Sequence, residues 1–193
     1  MSDKSATFPE FSMSHVGLFV FDLDRMVDFY TSTFGLLLTD TSIVRGDKRI
    51  AFMSRDPREH HQIVLVEGRM APLEAQLLNQ ISLRVGSLDD LREVDEIVSK
   101  SGATGVDRSN HGNAFSIYFR DPEGNRLEVF TDSPYYVEQA VQATLVLTCT
   151  DEEILKQTRD QHADHPSFSS ADEWSARMQQ RLDEAAQNKT REA

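Results

Sequence analysis

The chain has 193 residues, enough for one compact domain or for two half-size modules sharing a core. With 39% apolar and 27% charged residues it has an ordinary soluble composition, and no apolar run approaches the length needed to cross a bilayer. A net charge of −12 opposes binding to nucleic acid or to an anionic membrane, since both call for a basic surface; the single cysteine, Cys149, excludes internal disulfides and a Cys-rich zinc site.

The opening residues, MSDKSATFPEFS, lack the basic-then-apolar order of a signal peptide, so a cytoplasmic location is expected. From His15 the pattern becomes regular. Val16, Leu18 and Val20 alternate with other residues as in a strand, and Asp22-Leu23-Asp24 opens a helix. Met26, Phe29, Tyr30 and Phe34 recur at helical spacing, and Gly35 ends the helix. Short strands are predicted at about 43–45, 49–54 and 62–67, and residues 68–78 read as a connector.

The second half repeats the first. Gln80-Ile81-Ser82-Leu83-Arg84-Val85 echoes His15-Val16-Gly17-Leu18-Phe19-Val20, and Leu88-Asp89 echoes Leu23-Asp24. Arg120-Asp121-Pro122 echoes Arg55-Asp56-Pro57 at the same spacing of 65 residues. Three matches at one offset indicate a duplicated supersecondary unit. Leu91, Val94, Ile97 and Val98 form the second helical stripe, stopping at Gly102, with strands expected at about 104–108, 114–119 and 126–131. Proline presets φ in the two Asp-Pro turns and aspartate can cap them, so both are read as turn chemistry. Past Pro134 the strand pattern fades. Thr150 with Glu153, and Ser170 with Glu173, form capping boxes that open helices. Trp174, Met178 and Leu182 share one helical stripe, read as packing: an appendage that closes one edge of the domain or makes a subunit contact.

The expected fold is therefore α+β: two βαβββ modules, at about 13–67 and 79–132 within a domain of 12–133, forming an open cupped sheet, with a helical C-terminal extension over 134–193. Paired units with this first-strand pattern resemble the vicinal-oxygen-chelate superfamily, which includes glyoxalase I, type I extradiol dioxygenases, methylmalonyl-CoA epimerase, fosfomycin-resistance enzymes and bleomycin-binding proteins. Two motifs resemble the extradiol branch: Tyr118-Phe-Arg-Asp-Pro-Glu-Gly-Asn-Arg-Leu-Glu128 and Glu59-His60-His61-Gln-Ile-Val-Leu.

The resemblance implies a divalent-metal site whose ligands project from first and last strands. His15 matches the first ligand and Glu128 the terminal carboxylate. The second histidine of the extradiol pattern is replaced by Gln80, a neutral and weaker donor. Two histidines and a carboxylate suit non-haem iron(II), so the implied cofactor is Fe(II), with another divalent ion or none as the alternatives that Gln80 leaves open. A fourth, glyoxalase-type ligand would fall near Ile63 or Val64, and neither side chain can ligate. By alternation His61 shares a strand face with Ile63 and Leu65, and the repeat aligns Ile63 with Glu128, so His61 is expected in the cup as an acid–base group. His60 is expected to face away. Tyr118 matches a tyrosine that hydrogen-bonds a substrate hydroxyl, or is a core aromatic. His111 is expected on a turn at the rim, touching substrate or simply shaping the turn; His162 and His165 are read as surface residues.

Three functions are compatible with these residues. The first is a metal-dependent oxygenase resembling extradiol ring-cleavage dioxygenases, acting on a catecholic or other vicinal-oxygen small molecule. The second keeps the metal without oxygen chemistry, as an isomerase, epimerase or lyase, which Gln80 favours. The third is a non-catalytic small-molecule binder using the apolar cup. The expected partner is a small molecule, with neither nucleic acid nor membrane, and with a homo-oligomer as a possibility.

Overall fold

The computed structural model describes residues 12–44, 46–70, 72 and 78–192. The opening segment, Arg45 and most of the connector lie outside them. Among the described residues no helix is long and apolar enough to cross a membrane.

The first unit runs β1 (Val16–Val20), α1 (Leu23–Phe34), β2 (Leu37–Val44), β3 (Lys48–Ser54) and β4 (Ile63–Glu67). The second runs β5 (Ile81–Arg84), α2 (Leu88–Lys100), β6 (Thr104–Asn110), β7 (Ala114–Arg120) and β8 (Arg126–Asp132). Each unit makes its own open sheet, ordered β1-β4-β3-β2 and β6-β7-β8-β5. In each, the first strand lies parallel to the last. The fold is α+β with paired βαβββ units and a largely helical C-terminal extension.

The helices start and stop where their caps dictate. The Asp22 carboxylate accepts the Arg25 N–H at 3.1 Å, and Gly35, at φ 62, supplies the left-handed residue that ends α1. β2 begins six residues before the predicted 43. Its residues are nearly all exposed, because an edge strand without a covering layer carries no buried alternation to read.

Leu18, Met26, Phe29, Ile63 and Leu65 from the first unit share one core with Leu91, Ile117, Leu127 and Val129 from the second. Each such side chain removed from water contributes about 1.5–3 kcal/mol. The extension joins this core as well. Its short strand β10 (Ala143–Thr144) pairs with β6, and Leu145, Leu147 and Ile154 are buried in the cluster. β9 (Tyr135–Tyr136) pairs with β11 (Ser169–Ser170), and α3 (Asp151–His162) and α4 (Ala171–Glu192) follow the two predicted capping boxes. Of the two roles expected for the α4 stripe, closing an edge of the domain is not seen among the described residues. Trp174 is 42% and Leu182 52% exposed, and among the described residues Trp174 stacks on Tyr136, at 5.5 Å.

The modules meet through the β7–β8 turn. Glu123 accepts the backbone N–H groups of Phe21 and Asp22, both at 2.8 Å, and faces Arg69. The Tyr30 hydroxyl donates to Asp121 at 3.2 Å, and Phe34 stacks on Phe119. This junction leaves β1 and β5 as edge strands of their respective sheets among the described residues.

Candidate functional site

The sequence-derived site residues fall into two groups, one on each sheet. On the second sheet, Ser82 pairs with Glu128 in the parallel β5–β8 ladder, and Tyr118 pairs with Glu128 across β7–β8. Because side chains alternate, Gln80 stands on the same side as Ser82. The Gln80 amide donates to Glu128 Oε2 at 2.7 Å, and the Ser82 hydroxyl donates to the same oxygen at 2.5 Å. Glu128 is only 7% exposed, and among the described residues no ion pair involves it. A buried carboxylate held by neutral donors alone retains its need for a cation.

Tyr118 is buried beside that charge. Burial first, then the hydrogen bond and the charge of Glu128, push its phenol up to about 12, against the opposing Ser116 hydroxyl and Arg126 guanidinium. Arg126 lies over the Tyr118 ring at 4.2 Å. The Tyr118 oxygen is 3.0 Å from His111 Nε2, while His111 Nδ1 is 2.9 Å from the Val141 carbonyl. A carbonyl can only accept, so Nδ1 carries the proton and Nε2 offers a lone pair, which competes with the Glu128 carboxylate for the single Tyr118 hydroxyl proton. His111 is thus on a turn, as expected, and it is coupled to Tyr118 by the C-terminal extension. Gly112 lets the turn seat there: its φ is 75, and a Cβ would lie 2.4 Å from Val137 Cγ1. His162, read as a surface residue, is half-buried beside this turn, and its Nε2 is buried without a hydrogen-bond partner.

On the first sheet, His15 precedes β1 and is exposed, with Nδ1 held by Ser14 Oγ at 3.0 Å. Its ring meets that of His61 edge-on at 4.3 Å. His61 also packs on Phe52. Burial, followed by the nearby His15 and His60 rings, holds the His61 imidazole below its ordinary range.

The alignment that placed His61 needs correction. Ile63 and Leu65 belong to the core, the side opposite Phe52 and Val64. The ladders match Val64 with Gly17 as they match Glu128 with Ser82, so the counterpart of Glu128 is Val64. His61 still reaches the His15 side because it lies before β4, where strand alternation does not hold. His60, expected to face away, is part of this group: Nδ1 lies 2.9 Å from His61 Nδ1 and Nε2 2.7 Å from Asp40. Sequence reasoning missed Ser82, although its spacing of two from Gln80 was the available signal. It also missed Asp40, for which the sequence gives none.

Among the described residues, no hydrogen bond or ring contact links His15 to Gln80 or Glu128, and no three His, Cys, Asp or Glu side chains gather to hold a metal ion. The donor types nonetheless fit a divalent ion: an imidazole with one nitrogen engaged and the other available, an amide oxygen and a buried carboxylate.

Comparison with known proteins gives these groups a context. Residues 12–129 match the family model described as the Glyoxalase/Bleomycin resistance protein/Dioxygenase superfamily. No curated protein matches the chain. Among solved structures, a glyoxylase/bleomycin resistance protein/dioxygenase domain from Frankia sp. EAN1pec is 26% identical, covering 65% of this chain and 94% of that one, with a TM-score of 0.55. The fosfomycin resistance protein FosX from Mesorhizobium loti is 22% identical, covering 63% of this chain and 92% of that one, at a TM-score of 0.51. FosX from Listeria monocytogenes, in complex with Mn(II) and sulfate, is also 22% identical and covers 63% of this chain and 93% of that one, at 0.50. The two FosX proteins share the fold.

Proposed function

The chain belongs to the glyoxalase/bleomycin resistance protein/dioxygenase superfamily, and from that premise we propose a divalent-metal-dependent enzyme acting on a small molecule with two neighbouring oxygens, as an isomerase, epimerase or lyase. The observation that carries this reading is Glu128: a buried carboxylate facing Gln80, Ser82 and Tyr118, with no cationic partner among the described residues. His15, Gln80 and Glu128 would hold the ion. Mn(II) in the Listeria FosX complex gives a precedent in this fold for a non-iron divalent ion. When bound, such an ion holds both substrate oxygens and stabilises negative charge developing on them.

The chain's own residues supply the rest. His61 takes and returns a proton, aided by burial that keeps it neutral near physiological pH. Tyr118, held between His111 and Glu128, presents its oxygen to a substrate hydroxyl and fixes orientation. Gln80 favours chemistry without oxygen, since a neutral amide is a poor substitute for the imidazole of a redox-active iron site. His15 and Glu128 stand beside β1 and β5, the edge strands of their sheets among the described residues, while the modules are joined elsewhere. The reading therefore brings the β1 edge of one copy to the β5 edge of another.

A second reading, extradiol cleavage by iron-loaded protein, is favoured by the Tyr118–His111 pair beside Glu128. Metal analysis after anaerobic purification, with oxygen uptake measured on catechols, separates the two. Turnover of a vicinal-oxygen substrate without oxygen supports the first. Oxygen consumption with a yellow ring-opened product replaces it with the second. Stoichiometric ligand binding that survives Glu128→Ala, without turnover or metal, overturns both in favour of a binder.

A further inference from the structure

Asp40, His60 and His61 form a line of hydrogen bonds that nothing in the proposed chemistry yet uses. Asp40 Oδ2 is 2.7 Å from His60 Nε2, and His60 Nδ1 is 2.9 Å from His61 Nδ1. Phe52 packs against both imidazoles, at 5.7 and 5.2 Å, and the far side of His61 meets His15.

Asp40 reaches this line through a backbone irregularity. In the β2–β3 ladder, Leu38 pairs with Met53 and Asp40 with Phe52, so one residue is left over between them. Without that bulge Thr39 would stand opposite Phe52, and Asp40 would fall opposite Ala51, on the core side with Leu65. The extra residue moves the carboxylate to the histidine side, which is the kind of re-aiming that bulges perform next to functional sites.

The hydrogen-bonding logic then runs in one direction. A carboxylate only accepts, so His60 Nε2 carries a proton. In neutral His60 the Nδ1 lone pair is therefore an acceptor. Its partner, His61 Nδ1, must supply the proton, which leaves His61 Nε2 with a free lone pair. We propose that Asp40 and His60 are positioning residues that lock His61 in its Nδ1–H tautomer, so that Nε2 is the basic atom offered to the substrate. The inference rests on the reading of His61 as the acid–base group, and it assigns that role to a single nitrogen. An unconstrained imidazole in water favours the opposite, Nε2–H, form, so the line of contacts selects against the intrinsic preference. Charge–imidazole relays of this kind fix ring orientation and tautomer in many sites.

The test is made on the full-length, metal-free protein labelled with 15N, using two-bond 15N–1H correlation of the histidine rings, with His61→Asn to assign the signals. Asp40 and His60 have side chains 66% and 55% exposed, so substitutions there leave the core intact. The wild type is expected to show His61 protonated at Nδ1. Asp40→Ala and His60→Phe, the latter keeping a ring against Phe52, should both move His61 to the Nε2–H form, and Asp40→Glu should restore Nδ1–H. The same His61 tautomer in wild type and all three variants overturns the proposal, as does Nε2–H in the wild type. The measurement needs no substrate, so it stands even if the proposed reaction fails. With an active substrate in hand, Asp40→Ala should lower kcat on the order of 10–100-fold with KM little changed; a change confined to KM also overturns it.

Discussion

Arg55-Asp56-Pro57 and Arg120-Asp121-Pro122 occupy the same turn of the two repeats, yet one faces solvent and the other is buried at the module junction. Asp56 is satisfied by its own neighbour, Arg58, through the backbone N–H at 2.9 Å and the guanidinium at 2.7 Å, and that contact holds its carboxyl down at about 2. Asp121 is 3% exposed and accepts from Glu123 N, from the Asn125 backbone and side chain, and from Tyr30 of the other module. One charge reversal accounts for the difference. The position after the proline is Arg58 in the first repeat and Glu123 in the second, and of the two only the glutamate can accept the Phe21 and Asp22 amides. The proposed site is divided in the same way: the first module carries the imidazoles of His15 and His61, and the second carries the carboxylate and phenol of Glu128 and Tyr118.

The largest effects test that division. Glu128→Ala and His15→Ala should each abolish metal binding, measured by metal content and by titration of the stripped protein, because on the proposed reading the first removes the charged ligand of the second module and the other removes the ligand of the first. If the halves meet between two copies, mixing the two inactive variants should regain up to roughly a quarter of wild-type turnover, since half of the re-formed symmetric pairs would hold one intact site. No recovery after subunit exchange would place both halves in one chain. His61→Ala should lower turnover roughly a hundredfold while leaving metal content in place.

The frame was readable because repetition and helical spacing are local. Both helices and the two capping boxes follow from caps and periodic apolar residues. The face assignment was less secure. The offset of 65 that fits the first strands becomes one residue wrong by the last, where Val64 and not Ile63 corresponds to Glu128. His61 escaped the consequence only because it precedes the strand. Asp40 was invisible for a related reason: a bulge changes which face a residue occupies without leaving a mark in the apolar pattern. The burial of the second Asp-Pro turn depended on contacts about a hundred residues away in sequence, which no local pattern encodes.

A smaller effect separates the turns themselves. Asp121→Ala should destabilise the protein by about 2–4 kcal/mol, because it leaves several donors at the module junction unpaired. Asp56→Ala should leave thermal unfolding almost unchanged, since its partner is a solvent-exposed arginine in the same turn. Equal losses from the two substitutions would mean that the junction does not depend on the second turn. Thermal or denaturant unfolding of both variants, measured side by side, decides the matter.

The smallest expected effect is that of Tyr118→Phe, and it is the most informative about how the second module works. The substitution keeps a ring under the Arg126 guanidinium and in the β7–β8 ladder, so packing is retained. It removes the hydroxyl that stands between His111 Nε2 and Glu128. One hydrogen bond at a largely buried position is worth about 1 kcal/mol, so kcat/KM should fall roughly fivefold, with His111 still fixed by Val141. The phenol, raised to about 12, stays protonated across the neutral range, so this loss should be the same from pH 6 to 8. A loss that instead approached that of His61→Ala would make Tyr118 a proton carrier, and the second module would then hold acid–base chemistry as well as the carboxylate.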